Sequence, residues 1–411
     1  HCSSPGGQEP HPARRGGLHM SGAMAGAARH APWGSIGLLF LAHFVVDSQV
    51  SFLAPLLPLL SQKFSLSLGT AGVLVSLLSF FVAGSQPLTA IVTDRWPQLP
   101  WLAIGLIGSS LFLTAVGWLP TYAAVAAAIP IGGVLAGLAH PDMASRAGAL
   151  SNQHRSLSVS FFVAGGRLGF AFGPLIALFI VKWWGMEWLW IYILVNVVAV
   201  TGILRGLPKP KAASGESKSI FRGIGAALMA ARYPLSILLG VTVSRAIVTV
   251  NMQGLLPTLY VERGLGLWQG GIANSVLLVF GMAGVMAGGA LADRFGKKRL
   301  IAWGVVISFI SLIGFLWSIS ALAIVFIALL GFGLYLPMGV GMALAQEFLP
   351  DHRGFASSLT LGVSWGLASF SVIPISWMAE KISLLQTFKV LPVALVAGLV
   401  FAYFLPEEEK K

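Results

Sequence analysis

The stretch Ala321-Leu322-Ala323-Ile324-Val325-Phe326-Ile327-Ala328-Leu329-Leu330 carries no polar side chain on any face. A membrane-spanning strand alternates apolar and polar residues because it closes a barrel, whereas a spanning helix can be apolar all round. The stretch is therefore read as part of a transmembrane helix. Working outward, runs of about 20 apolar residues, enough to cross ~30 Å of hydrocarbon, recur along the chain. Twelve are centred near Val46, Ser79, Ser110, Ala128, Phe170, Val195, Ala246, Val279, Ser308, Ile327, Leu367 and Val396. The 411 residues are 56% hydrophobic and 10% charged, against roughly 25% charged in a soluble domain. The expected fold is an all-α membrane protein of twelve transmembrane helices, with no large soluble domain.

The net charge of +12 invites a nucleic-acid partner, but its distribution argues for topology. With both termini in the cytoplasm, the inner segments hold most of the 26 Lys and Arg, among them Arg95, Arg146, Arg205, Lys209, Lys211, Arg294, Lys297 and Arg353. The outer segments hold Lys63, Lys182, Arg263, Lys381 and Lys389. That imbalance is the positive-inside rule. It predicts a multi-pass protein of the inner (plasma) membrane with both termini cytoplasmic and no nucleic-acid partner. The single cysteine, Cys2, leaves no disulfide framework and no thiolate metal site. Residues 1–32 lack a hydrophobic region and are read as a disordered tail, not a signal peptide.

The longest polar interruption runs from Arg205 to about Tyr233 and includes Pro208-Lys209-Pro210-Lys211. It divides the chain into a six-helix bundle at 33–204, a cytoplasmic linker at 205–233, a second bundle at 234–405 and a short tail at 406–411. The bundles look like copies. Leu56-Leu57-Pro58 recurs as Leu255-Leu256-Pro257, Asp94-Arg95 as Asp293-Arg294, and His154-Arg155 as His352-Arg353, all at nearly one offset.

Three charges lie deep in apolar runs: Asp47, Arg167 and Arg245. Counted at ~1.5 Å per residue, each falls about 15–20 Å into its span, near the midplane. A charge there costs on the order of 3 kcal/mol on the lenient insertion scale, so it marks a pathway or a site. Asp47 is the only carboxylate in any span and is the proton-coupling candidate. His43, one helical turn away, is a partner for that proton. A permanent Asp47–Arg245 ion pair locking the halves is the other reading. Thr242, Arg245, Thr249 and Gln253 share one helix face, expected to line water. Arginine grips carboxylate or phosphonate in two places, so Arg245 and Arg167 point to an anionic or zwitterionic substrate. Trp365 and Tyr335, mid-span beside glycines, are further candidates for the lining, or else pack in the core.

Two six-span halves, together with Gly289-Ala290-Leu291-Ala292-Asp293-Arg294-Phe295-Gly296-Lys297-Lys298, resemble the major facilitator superfamily and its loop motif. That resemblance implies a gate at Gly289, Asp293, Arg294 and Gly296, with a degraded first copy at Asp94 and Arg95. Gly169-Phe170-Ala171-Phe172-Gly173-Pro174 resembles the glycine-proline motif of proton-coupled antiporters, through Gly169, Gly173 and Pro174. Gly165, Gly169 and Gly173 also suit a plain small-residue helix contact. His43 to Asp47, Leu56-Leu57-Pro58 and His140-Pro141 resemble the fosmidomycin-resistance branch. That branch implies a proton-driven exporter of small antibiotics or anionic metabolites; Arg167 is a basic addition to it.

The expected function is a secondary transporter by alternating access, a monomer in the lipid bilayer whose partners are a small molecule and protons. No cofactor is expected. An uptake symporter of an organic anion is the near alternative. A membrane-embedded receptor or enzyme is the remote one, disfavoured because no metal-binding motif, nucleophile with a matching base or phosphate-binding loop is present in the sequence.

Overall fold

A computed structural model describes residues 1–2, 33–96, 99–149, 155–207, 223–318 and 321–406. The expected tail at 3–32 and most of the linker lie outside the described residues. Eleven helices are long and apolar enough to cross a membrane: α1 Trp33–Phe64, α2 Leu68–Thr93, α4 Tyr122–Ala144, α5 Phe161–Trp184, α6 Met186–Gly206, α7 Arg232–Glu262, α8 Leu267–Ala292, α9 Lys297–Trp317, α10 Leu322–Phe348, α11 Leu359–Ile382 and α12 Leu384–Phe404. The twelfth expected span is the shorter apolar α3, Trp101–Gly117. It ends in a 3-10 turn at Ala115–Gly117, ahead of Pro120. Lys63 donates to the carbonyls of Gly117 and Leu119 at 2.9 and 3.0 Å, which closes that helix end as a basic residue at a C-terminus should.

The helices pack in a repeated pattern. In the first half α1 lies on α5 and α3 on α4; in the second α7 lies on α11 and α9 on α10. Between halves, α2 meets α11 and α5 meets α8. Those two contacts exchange under the sequence repeat, which carries α2 onto α8 and α5 onto α11. At the end of the bundle opposite Trp33 and Phe404 the halves are pressed together. Gly69 lies on Trp377 and Glu380, Gly72 on Ser376, and Gly271 on Leu178. Further along the same seam Ser76 donates to the carbonyl of Ser369 at 2.8 Å. Lipid offers no hydrophobic gain for such contacts, so close backbone approach and hydrogen bonds must supply them.

Prolines inside helices free carbonyls that a bilayer cannot hydrate. Pro141 leaves the carbonyl of Gly137 without its helical donor, and the Thr89 hydroxyl of α2 supplies one at 3.2 Å. Pro257 does the same to Gln253, whose carbonyl takes the Asn274 amide of α8 at 3.2 Å. The glycine stripe of α5 runs along α1 in strict register. A side chain at Gly165 would strike the carbonyl of Phe40, one at Gly169 that of Phe44, and one at Gly173 that of Ser48.

Candidate functional site

Asp47 sits at the centre of the first half with 4% of its surface exposed. One helical turn before it on α1, His43 places Nε2 3.2 Å from Asp47 Oδ2. From α4, His140 places Nε2 3.0 Å from Asp47 Oδ1. The second nitrogen of each ring is also engaged. His43 Nδ1 lies 2.8 Å from the carbonyl oxygen of Phe162, and His140 Nδ1 lies 2.7 Å from that of Ala136. The Phe162 ring stacks on His43 at 4.2 Å between centroids. One nitrogen of each histidine and one oxygen of Asp47 lie within 4.8 Å of one another, and the three side chains form one hydrogen-bonded set. Gly166 of α5 closes it, since any side chain there would strike His43 Nε2 and Asp47 Oδ2.

His140 is the member that sequence reasoning did not place among the site residues; it entered only through the resemblance of His140-Pro141. The alternative partner of Asp47 is absent. Arg245, 2% exposed, donates to the carbonyl of Leu334 at 2.8 Å, and no described carboxylate lies within ion-pair distance of it. A span arginine can be held by a backbone carbonyl when a neighbouring helix offers one, and here α10 does.

Arg167 follows Gly166 on α5 and crosses to the other half. Its guanidinium lies 5.2 Å from the centroid of the Tyr335 ring and 3.2 Å from the Met338 sulfur, both on α10. Arg245 and Arg167 both act electrostatically on Tyr335. Arg245, bonded to the carbonyl of the residue before Tyr335, belongs to the same neighbourhood, and among the described residues no carboxylate pairs with either guanidinium. The phenol accepts a hydrogen bond from the Gln253 amide.

Gln253 also borders the cavity between the halves, about 650 Å³ with its open mouth included. Its polar lining is Ser51, Ser79, Gln253, Asn274 and Trp365; Phe170, Val75 and Leu278 are among the apolar walls. Of the expected substrate residues, Gln253 and Trp365 line it. Tyr335 is 1% exposed and lies behind Gln253. Neither arginine lines the cavity. The expected wet face of α7 is largely dry: Thr249 is fully buried and its hydroxyl donates to the carbonyl of Arg245 at 2.9 Å. Thr242 is spent on Ser364 at 2.8 Å. Helical spacing gave the common face, but neighbouring helices cover it.

The loop motif is only partly brought together. Nothing lies within 4 Å of where a side chain at Gly289 would stand, so no described neighbour presses on it in this conformation. Gly296 serves the backbone instead, with φ at 83° between α8 and α9. Arg294 is exposed, while Lys297 pairs with Glu347 of α10 at 2.7 Å. Arg95 lies over the ring of Trp96 at 5.6 Å. The side chains of Asp94 and Asp293 lie outside the described residues. In the antiporter-like motif, Gly169 and Gly173 pack α5 against α1 as above, and Pro174 lies within the helix.

A bundle of two similar six-helix halves, with buried charges at their junction, defines a transport protein. The family model described as Major Facilitator Superfamily matches residues 39–373, and the chain belongs to that superfamily. It is 26% identical over 416 residues to the fosmidomycin resistance protein of Escherichia coli (strain K12), covering 95% of this chain and 98% of the relative. It is 25% identical over 392 residues to the uncharacterized MFS-type transporter YfnC of Bacillus subtilis (strain 168), covering 91% and 93%. Its fold matches a crystal structure of the nucleoside transporter NupG with a TM-score of 0.75 at 15% identity, covering 91% of this chain and 100% of that one. It matches the D-xylose-proton symporter with a TM-score of 0.72 at 14% identity, covering 92% and 99%. Its class is that of transporters, not enzymes.

Proposed function

We propose that this protein is a proton-coupled secondary transporter that exports a small anionic or zwitterionic compound by alternating access. It acts as a monomer in the inner membrane with both termini in the cytoplasm. The observation that carries the reading is the pairing of two buried sites on adjacent residues of α5. Gly166 closes the Asp47–His43–His140 set, and Arg167, which no described carboxylate pairs, lies over the ring of Tyr335. The first holds protons on Asp47 and His43; the second attracts an anion, with Gln253 and Trp365 at the adjoining cavity. Trp365 Nε1 has no acceptor and Asn274 Oδ1 no donor among the described residues, which suits a substrate with polar groups beyond its charge. Export is the direction that suits the likeness to the fosmidomycin resistance protein. With the basic end inward, the pressed end of the bundle is the outer one, and Gly289, Asp293 and Arg294 lie at the inner end as a gate.

One observation favours uptake by symport as the second reading. Arg167 follows directly on Gly166, which closes the proton site, so an anion that neutralises Arg167 relieves the repulsion of a positive charge there. Binding of anion and protons then help each other, by reciprocity. Flux in sealed vesicles under an imposed proton gradient separates the two. Opposed movement of protons and an organic phosphonate or carboxylate supports export, parallel movement supports uptake, and indifference to the gradient overturns proton coupling.

A further inference from the structure

The hydrogen-bond partners of the two histidines fix a proton count. A carbonyl oxygen only accepts, so the Nδ1 atoms facing Phe162 and Ala136 both carry hydrogen. Each Nε2 then faces one carboxylate oxygen of Asp47. A neutral ring with Nδ1–H has a bare Nε2, and a bare nitrogen opposite a bare carboxylate oxygen sets lone pair against lone pair. Each bridge therefore needs its own hydrogen.

We propose that the Asp47–His43–His140 set holds two protons in this conformation, one in each bridge, and that His140 is a proton-coupling residue equal to Asp47. Two imidazoliums on a carboxylate, or one imidazolium and one neutral ring on a protonated carboxyl, give the same count and the same single positive charge. With one proton fewer, only one bridge survives. The inference rests on the proton-coupled reading and adds to it a residue and a stoichiometry. The charged and titratable groups facing the set, among the described residues, are few. Arg167 of α5 lies within electrostatic reach of His140, and Arg245 and Tyr335 stand behind it in the other half. Asp142, on α4, pairs with Arg146 at 2.8 Å. No described residue outside the three supplies a second carboxylate. The side chain of His140 is the more accessible of the two rings, at 17% against 10%, so His140 is where protons enter and leave.

The test is nitrogen NMR on the full-length protein, 15N-labelled at histidine, in nanodiscs, with the two rings assigned through His43→Gln and His140→Gln. The expected result is hydrogen on Nδ1 of both rings and two protons lost from the set on titration toward alkaline pH. One of those protons should vanish from the count in His140→Gln. A bare Nε2 on either ring throughout the titration overturns the proposal. So does a Co2+ spectrum that disappears in Asp47→Asn, because a divalent ion would then fill the bridges. Vesicle flux supplies the second arm. If the native protein shows proton-driven flux and His140→Gln keeps the same proton-to-substrate ratio, the role of His140 fails while proton coupling stands. If native flux ignores the gradient, the functional reading fails and the NMR count is judged alone. His140→Asn repeats each measurement should the Gln variant not fold.

Discussion

Arg167 and Tyr335 join the two halves of the bundle: the guanidinium of one lies 5.2 Å from the ring centroid of the other. The contact is a cation over an aromatic face, a modest attraction of about 0.5–2 kcal/mol. It leaves the charge of Arg167 free for an anion. Arg245, by contrast, has its carbonyl partner at 2.8 Å and is almost wholly buried.

The two arginines should therefore separate by assay. Arg167→Gln should weaken an anionic ligand by about tenfold to a hundredfold, the loss of one charge-assisted hydrogen bond of roughly 1.5–3 kcal/mol. Arg245→Gln should show mainly as a lower Tm. Ligand-dependent thermal shifts on both purified variants check this. Unchanged affinity in a folded Arg167→Gln protein would sink the anion site.

Asp47→Asn should abolish accumulation of substrate against a gradient while leaving a folded protein. The amide keeps the size and can serve both histidines, donating to one and accepting from the other, but it cannot give up a proton. Uptake and efflux at several pH values would expose the error if the variant kept normal pH dependence.

Gly169→Val should cost roughly 1–3 kcal/mol by overpacking α5 on α1, since the carbonyl of Phe44 occupies the space. Gly37→Val, with nothing within 4 Å, is the control. Thermal unfolding of the two variants in one detergent is the measurement, and equal Tm values would refute the packing argument.

Single-cysteine labelling on a Cys2→Ser background should place Ser214→Cys inside and Lys381→Cys outside. Modification of Ser214→Cys by an impermeant reagent in intact cells would overturn the orientation.

The spans and the two halves were legible in the sequence because hydrocarbon tolerates only long apolar helices, so composition alone writes the architecture. The depth of Asp47 was legible for the same reason. Its partners were not, because both an arginine and a histidine lay at plausible depth. Depth arithmetic would have kept His140 apart from Asp47: at ~1.5 Å per residue His140 lies about 27 Å from the Tyr122 end of its helix, near the inner face of a ~30 Å slab, whereas Asp47 lies about 20 Å from that face. The two meet because α1, from Trp33 to Phe64, is longer than the slab that the count assumes. The dryness of Thr242 and Thr249 was hidden because helical periodicity says which residues share a face, never which neighbour covers it. Gly289 illustrates a further limit, since a motif fixes residue types but not the conformation in which they touch.

The register of Gly165, Gly169 and Gly173 along Phe40, Phe44 and Ser48 has a kinematic consequence. Two helices keyed backbone to backbone at three successive turns travel as a single plank, so Asp47 on one and Arg167 on the other keep their spacing through any rocking of the bundle. Tyr335 and Met338 belong to the opposite body and do not share that motion. What the rocking can alter is the far wall of the anion site, whereas the conversation between anion and proton stays aboard one moving part.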